Sequence, residues 1–405
     1  MLDAFSTMHV GNGALIDNTY KLCKDHISEN IEILSIDPET NKERFPKVKE
    51  DIFSEYKGTS TQKLIFSSKL AIFFILELIN TKLFSGKIKF PHSPLLRDLI
   101  SALDRADICI SMSGETINDY YRPHLYLRLL TYYLAILKNK KLIVFPQSIG
   151  PVFRPLTKYL LRKTLGNAYA IIARDQTSLK LSKSIWQGQP VNICFCPDVA
   201  TTQESPVTDI PGTVEGKKIL GLTVSEIPRK EMGFHGEYLE QVLNEIIKHF
   251  PRDEFQFAIM PSNYKRNGES QDYAKCLEAK DWIKKNGYHV TILPNDIIHP
   301  DAYQGMQKNL FAFISTRMHV GILGTSAGTP TLMINTQHKI REYMKLVDME
   351  EFVVELNESH LISEKLKNIK ENNQKIRESL KQKNIKLKKI VHETIQQLGT
   401  KINNS

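Results

Sequence analysis

Ten short apolar runs, spaced along the chain with helical patterns between them, constrain this sequence more than any other feature. The first half carries IEILSID (31–37), DICISMSG (107–114), KLIVFPQSIG (141–150), AYAIIARD (168–175) and VNICFCPD (191–198). The second half carries KILGLTVS (218–225), FQFAIMPS (255–262), YHVTILP (288–294), LFAFIST (310–316) and PTLMIN (330–335). Near-continuous apolar runs of this length suit strands covered on both faces, as in parallel sheets. The segments between them, such as GEYLEQVLNEIIKHF (236–250), have helical periodicity. Strand–helix alternation therefore predicts an α/β chain with helices on both sides of its sheets.

At 405 residues the chain exceeds one ordinary core, which favours two domains. The stretch TTQESPVTDIPGTVEGKK (201–218) is rich in Pro, Gly, Thr and Ser and reads as the linker. The expected architecture is two doubly wound Rossmann-like domains facing across a cleft, residues 1–205 and 206–355. Residues 38–93 are less regular and read as an insertion. Between Leu361 and Leu398 there is no Pro or Gly, and apolar residues recur every three or four positions. That predicts a long amphipathic helix or a helix pair within a basic tail, 356–405.

The net charge of +9 favours anionic partners. Much of the excess lies in the lysine-rich tail, where a solvated helix face explains it. No basic–aromatic interleaving or nucleic-acid motif is present, so nucleic acid is excluded as the expected partner. The five cysteines are scattered, odd in number and without a CxxC pair. They fit packing in a reducing compartment, with no disulfide framework or structural zinc. The opening residues lack a basic start and a long apolar stretch, so the expected location is the cytoplasm. The run LAIFFILELI (70–79) is too short to span a bilayer and carries Glu77, with Lys63, Lys69, Lys82, Lys87 and Lys89 around it. It reads either as a buried or partner-facing helix, or as an interfacial helix giving peripheral membrane contact.

In open parallel sheets, ligands bind beyond the carboxyl ends of strands. Two such places bring a cation to an apolar strand end. Arg174 closes one strand, and Asp175 is placed to cap the next helix; the arginine either forks onto a phosphate or carboxylate, or pairs with Asp175. Arg317 follows FAFIS, and His319 opens the small-residue stretch HVGILGTSAGTP. This histidine either moves a proton near neutral pH or bonds its own backbone. Lys339, after PTLMIN, is a third strand-end cation. The glycines near Gly11 form a turn able to present backbone N–H groups to an anion. There is no GxGxxG, Walker A, HExxH, GxSxG or DxD motif, and no metal site is indicated.

An ordered set of segments resembles the polysaccharide pyruvyl transferase family. It comprises Gly11–Asn12, Ser113 to Tyr121, PQSIGP (146–151), RDQTS (174–178), Pro197–Asp198, and TRMHVGILGTSAGTPTLMIN with His338–Lys339. The resemblance implies a GT-B-like pair of domains, phosphoenolpyruvate as co-substrate with no other cofactor, and a pyruvate ketal on two hydroxyls of a sugar. It implies that Arg174, Arg317 and His319 serve donor binding and catalysis, with His319 as the acid–base; Lys339, which alone reads as a surface residue, is placed with the donor as a strand-end cation. The acceptor glycan, in a cell-envelope or capsular polysaccharide precursor, is assigned to Asn12, Glu115, Asn118, Asp119 and Gln147, where Glu115 and Asp119 read either as groups for acceptor hydroxyls or as helix caps. The sequence departs from the pattern at GNGALID, which lacks an acidic residue after Gly-Asn, and at SGE in place of Gly-Gly. A GT-B glycosyltransferase using a nucleotide sugar fits the same architecture, as does a non-catalytic scaffold in envelope polysaccharide assembly.

Overall fold

The computed structural model describes residues 1–55, 58–84, 88, 94–226, 238–265, 270–335 and 338–404. Lys87 and Lys89, and part of the 38–93 segment, lie outside them. All ten apolar runs form strands at the expected places. They are β1 (Ile33–Ser35), β3 (Ile108–Ser111), β5 (Lys141–Ile149), β6 (Ala170–Ala173), β7 (Asn192–Phe195), β8 (Lys218–Thr223), β9 (Phe255–Ile259), β10 (Val290–Ile292), β11 (Leu310–Ser315) and β12 (Thr331–Asn335). Three more appear: β2 (Val48–Glu50), β4 (Gly114–Ile117) and β13 (Val353–Glu355).

The chain divides into two compact units. The first comprises Met1–Ser6, Leu15–Asp198 and His392–Ser405; the second comprises Thr7–Ala14 and Val199–Val391. The basic tail is thus not a separate body. It forms two helices, Leu361–Glu371 and Asn373–Asn403, broken at Asn372. The second helix runs on through Gly399. A side chain there would collide with the His26 carbonyl at the end of helix Val10–His26, so only glycine permits that approach.

In the first unit every pairing is parallel, in the order β3-β5-β6-β7 with β4 also on β5. Strands β1 and β2 pair separately. Leu2 bridges to Ser111 and Ala4 to Ser35, so residues 2–4 join β1 to β3 as a short strand. The complete order is β2-β1-(2–4)-β3-β5-β6-β7. Strand β2 comes from the stretch that reads as an insertion, and therefore belongs to the sheet. The core strands explain the apolar runs: Leu142, Ile143, Val144, Phe145, Ile171 and Ile172 are fully buried.

The second unit carries one six-stranded parallel sheet, ordered β10-β9-β8-β11-β12-β13. Numbered from β8, this is 3-2-1-4-5-6, the doubly wound Rossmann order. The order reverses between β8 and β11, and a crevice opens beyond the carboxyl ends of strands at such a point. Counting residues 2–4 as the first strand, the first unit reverses in the same way between residues 2–4 and β3.

Candidate functional site

At the reversal point of the second unit, β8 runs into Val224 and Ser225 and β11 into Thr316 and Arg317. The Ser225 and Thr316 hydroxyls lie 2.9 Å apart and tie the two strand ends together. Ser315 then turns the chain. Its Oγ accepts from the Arg317 N–H and donates to the Arg317 carbonyl, both at 3.0 Å. Arg317 occupies the cap position of helix Met318–Ser326, and no side chain caps that helix. Its first N–H groups and the positive end of its dipole therefore face the carboxyl edge of the sheet, an arrangement suited to an anion.

The Arg317 guanidinium is anchored on its inner side. Nε and Nη2 both donate to Asp272 Oδ2, at 3.0 and 2.5 Å. Asp272 is buried at the start of helix Gln271–Lys285, and its other oxygen accepts the Glu226 N–H at 3.1 Å. The Arg317 side chain remains 38% exposed, so an anion can reach it. His319 sits in the first turn of the same helix, half-buried. A Cβ built on Gly11 would lie 2.5 Å from His319 Cβ and 3.3 Å from Nδ1. The glycine near the start of the chain is therefore what lets the histidine pack against that backbone. It lies inside helix Val10–His26, not in a turn before it.

Two members of this group escape sequence reasoning. His9 is pinned beside β9, since residues 8 and 10 exchange backbone hydrogen bonds with Tyr264 and Ser262 at 2.9 Å. Burial lowers the His9 pKa to about 4, helped by the Arg317 charge and opposed by Asp272. This imidazole is neutral at pH 7. Asp272 is the second, and its position within SQDYAK gave no motif. The signal for His9 was a repeat: Met-His-Val-Gly occurs at 8–11 and again at 318–321. Both copies open helices, and both glycines are packed too closely for a side chain, Gly11 against His319 and Gly321 against Met333.

Lys339 lies at the same carboxyl edge, in the first turn of helix His338–Leu346 after β12, the strand beside β11. It is buried, and burial pushes its pKa down to about 8.

Several candidates of the first unit also make framework contacts. Arg174 is 2% exposed, with Nη1 on Asp198 at 2.7 Å and Nε on Ser148 Oγ at 2.8 Å. Both of these partners are themselves buried. Asp175 does cap its helix, accepting from the Ser178 N–H at 2.7 Å, and it also receives the Ser148 hydroxyl at 2.9 Å. The PQS, RDQTS and PD segments are thus one buried network. Asn118 Oδ1 accepts the N–H groups of Tyr120 and Tyr121, and its amide donates to the Glu115 carbonyl. Asp119 accepts the Phe153 and Arg154 N–H groups at 2.7 and 2.9 Å and the Thr157 hydroxyl at 2.5 Å. Burial alone would raise its pKa, but these bonds hold it below the usual carboxylate value. Gln147 bridges Thr116 and the Met112 carbonyl between β4 and β5. These bonds tie all three side chains into the framework of the unit. Glu115 and Asn12 remain half-exposed.

The first unit's own reversal point holds a different constellation. Asp3, at φ +63°, receives Arg128 at 2.9 Å and the Tyr132 hydroxyl at 2.5 Å. Beside it, burial and the Asp3 charge raise the Asp51 pKa to about 7.

The profile of the family described as "Polysaccharide pyruvyl transferase" matches residues 9–338. The amylovoran biosynthesis protein AmsJ of Erwinia amylovora is 21% identical over 331 residues, covering 75% of this chain and 76% of that one. Among solved structures, Anabaena HepE in complex with UDP superposes at a TM-score of 0.57 with 11% identity, covering 100% of this chain and 99% of its own. A glycosyltransferase from Rickettsia africae gives a TM-score of 0.56 at 11% identity, over 99% and 97% of the two chains. These structural likenesses establish a GT-B-like fold class. The profile spans both strand series and the Arg317–His319 corner, and on that match this chain belongs to the polysaccharide pyruvyl transferase family, whose members are transferases acting on polysaccharides.

Proposed function

We propose that this protein transfers pyruvate from phosphoenolpyruvate to two hydroxyls of a sugar in an envelope or exopolysaccharide precursor, forming a ketal and releasing phosphate. The observation that carries the reading is the corner at the β8/β11 reversal. There an anchored, partly exposed Arg317, an uncapped helix N-terminus and His319 share one strand end.

Each group has a task matched to its chemistry. Phosphoenolpyruvate carries at most three negative charges on a small frame. The helix N-terminus and Arg317 offer N–H donors to phosphate and carboxylate, with Lys339 as an additional cation at the same sheet edge. Asp272 holds Arg317 in one orientation, so little side-chain freedom is lost on binding. His319 delivers a proton to the methylene carbon, and positive character develops at the central carbon. One sugar hydroxyl attacks that carbon, the C–O bond to phosphate breaks, and the second hydroxyl closes the ketal. Of the two hydroxyl protons, one replaces the proton His319 gave to the methyl group. The other leaves with phosphate. The histidine therefore ends as it began, as a general acid–base must. Neutral His9 beside Arg317 adds a hydrogen-bonding group without adding repulsion to the guanidinium.

The test is phosphate release from phosphoenolpyruvate in the presence of candidate glycans, with mass spectrometry for one added pyruvate ketal. Thermal stabilisation by phosphoenolpyruvate is measured beside a nucleotide-sugar panel. Turnover with a nucleotide sugar and none with phosphoenolpyruvate would overturn the proposal.

A further inference from the structure

The helix Ser60–Phe84 is inside out. Its inward face carries Leu70, Phe73 and Phe74, but also the polar Glu77 and Asn80, all buried. Its outward face is apolar: Leu64, Ile65, Ile72 (60% exposed), Ile75 (54%), Leu76, Ile79 (43%), Leu83 and Phe84. From Ile72 to Leu83 the outward isoleucines and leucines recur every three or four residues and form one stripe, with Leu64 and Ile65 two turns before it. A contiguous apolar stripe of this size on a surface marks an interaction site.

The neighbouring elements of the first unit extend it. The helix lies beside Arg122–Leu137, and the two share an open groove of mixed lining, in which Leu64, Ala71, Pro123, Tyr126, Leu127 and Leu130 stand with three serines and Lys63. Tyr126 in turn reaches Thr157 on helix Pro155–Leu165, with 2.8 Å between their hydroxyls. Around that helix Tyr120, Phe153, Leu156 and Tyr159 are all exposed, with Tyr120 and Phe153 in edge-to-face contact.

Charge identifies the occupant. Segments 58–84 and 119–165 contain two acidic residues, Glu77 and Asp119, and both are buried. Lys69, Lys82, Arg154, Lys158 and Lys163 are exposed on the same segments, and Lys63 and Arg122 half-exposed. The exposed charge is therefore of one sign, set among aliphatic and aromatic side chains. Exposed Tyr and Phe with lysines beside an aliphatic stripe is the composition that seats a protein in the headgroup–acyl boundary of an anionic bilayer. The helix has the length and composition of a membrane span. Its buried face, with Phe74, Glu77 and Asn80 committed to the first unit, instead keeps it in the plane of the interface.

We infer that the Ser60–Phe84 helix, with the aromatic and basic residues around 120–122 and 153–159, is a docking surface for an anionic lipid bilayer. The inference is independent of the reaction proposed above, and its test reads membrane binding alone. Purified full-length protein is mixed with vesicles of phosphatidylcholine, or of phosphatidylcholine with an equal part of phosphatidylglycerol, and floated through a density gradient. The expected result is flotation with the anionic vesicles that weakens as salt is raised, and little with the neutral ones. The triple variant Ile72→Asp, Ile75→Asp, Ile79→Asp should keep its melting temperature, because all three side chains are already exposed, and should lose at least about tenfold in binding. A second variant, Lys69→Glu with Lys158→Glu, should lose the preference for anionic vesicles. Wild-type protein that fails to float, or a triple variant that floats equally well, overturns the inference. So does a dimer that the triple variant breaks in the absence of vesicle binding, which would assign the face to a second copy of this chain.

Discussion

At the scale of single residues, the Arg317–His319 corner separates chemistry from support. His319→Ala should fold normally and lose about two to four decades of turnover, read as phosphate release beside an unchanged melting temperature. Asp272→Asn should act differently. It leaves Arg317 in place but loosens its orientation, so the KM for phosphoenolpyruvate rises, and Asp272→Glu should recover part of the loss. His9 gives a pH signature. Unfolded, its imidazole takes a proton near pH 6.5; folded, only near pH 4. Between those values the unfolded state binds more protons, so stability falls as the pH drops through that window. For this half-buried group the fall between pH 7 and pH 5 should be about 1–2 kcal/mol, and His9→Asn should remove that part of it in denaturant melts at the two pH values. Lys339 reads the alkaline side. Burial brings its pKa to about 8, so it is cationic at pH 7 and neutral above. If it holds the donor, affinity for phosphoenolpyruvate should fall as the pH rises through 8. Lys339→Met should bind weakly at every pH, without that fall.

At the scale of elements, the residues that read as ligand groups in the first unit turn out to join strands and helices. Asp119 gathers two backbone N–H groups and the Thr157 hydroxyl at the start of helix Pro155–Leu165. Asp119→Ala should destabilise the fold by about 2 kcal/mol, the upper range for a lost cap. Its depressed pKa places that contribution above the ordinary carboxylate pKa, and it is lost as the pH falls further. Arg174 makes the clearer contrast. Arg174→Ala leaves Asp198 buried without its guanidinium and should cost about 3–5 kcal/mol. Removing both partners, as Arg174→Met with Asp198→Leu, should cost much less. In denaturant melts a double variant as unstable as the single one would show that the pair does not act as a unit.

At the scale of the whole molecule, both units use the same strand order, and the pieces of chain that build them are not sequential. Residues 7–14 belong to the second unit although they stand near the start, and His392–Ser405 belong to the first although they stand at the end. Phosphoenolpyruvate should therefore slow amide hydrogen exchange at three separated stretches: 8–11, 223–226 and 316–321. The strands β5 and β6 should be unaffected. Protection confined to 316–321 would show that the opening residues take no part in the donor site.

The sequence by itself determined the strand series and the α/β class, and it marked Arg317 and His319 as neighbours at one strand end. A parallel strand buried on both faces has to be apolar along its length, and a functional side chain must follow where it ends. It left β2, β4 and β13 unmarked; β2 reads Val-Lys-Glu and β4 Gly-Glu-Thr-Ile, with charged and polar residues where an apolar run would stand. It also left residues 2–4 and His9 unmarked, since pairing across the chain, not composition, makes residues 2–4 a strand and brings His9 near Arg317. Only the tertiary structure decided which strand-end polar groups stay open to a ligand. Arg174, Asn118, Asp119 and Gln147 have the same residue chemistry as groups that bind sugars and phosphates. Several of these groups are held by partners many residues away, such as Asp198 for Arg174, and the apolar face of Ser60–Phe84 is the exposed one because neighbours cover the other side. Long-range neighbours fix what each side chain has left to offer.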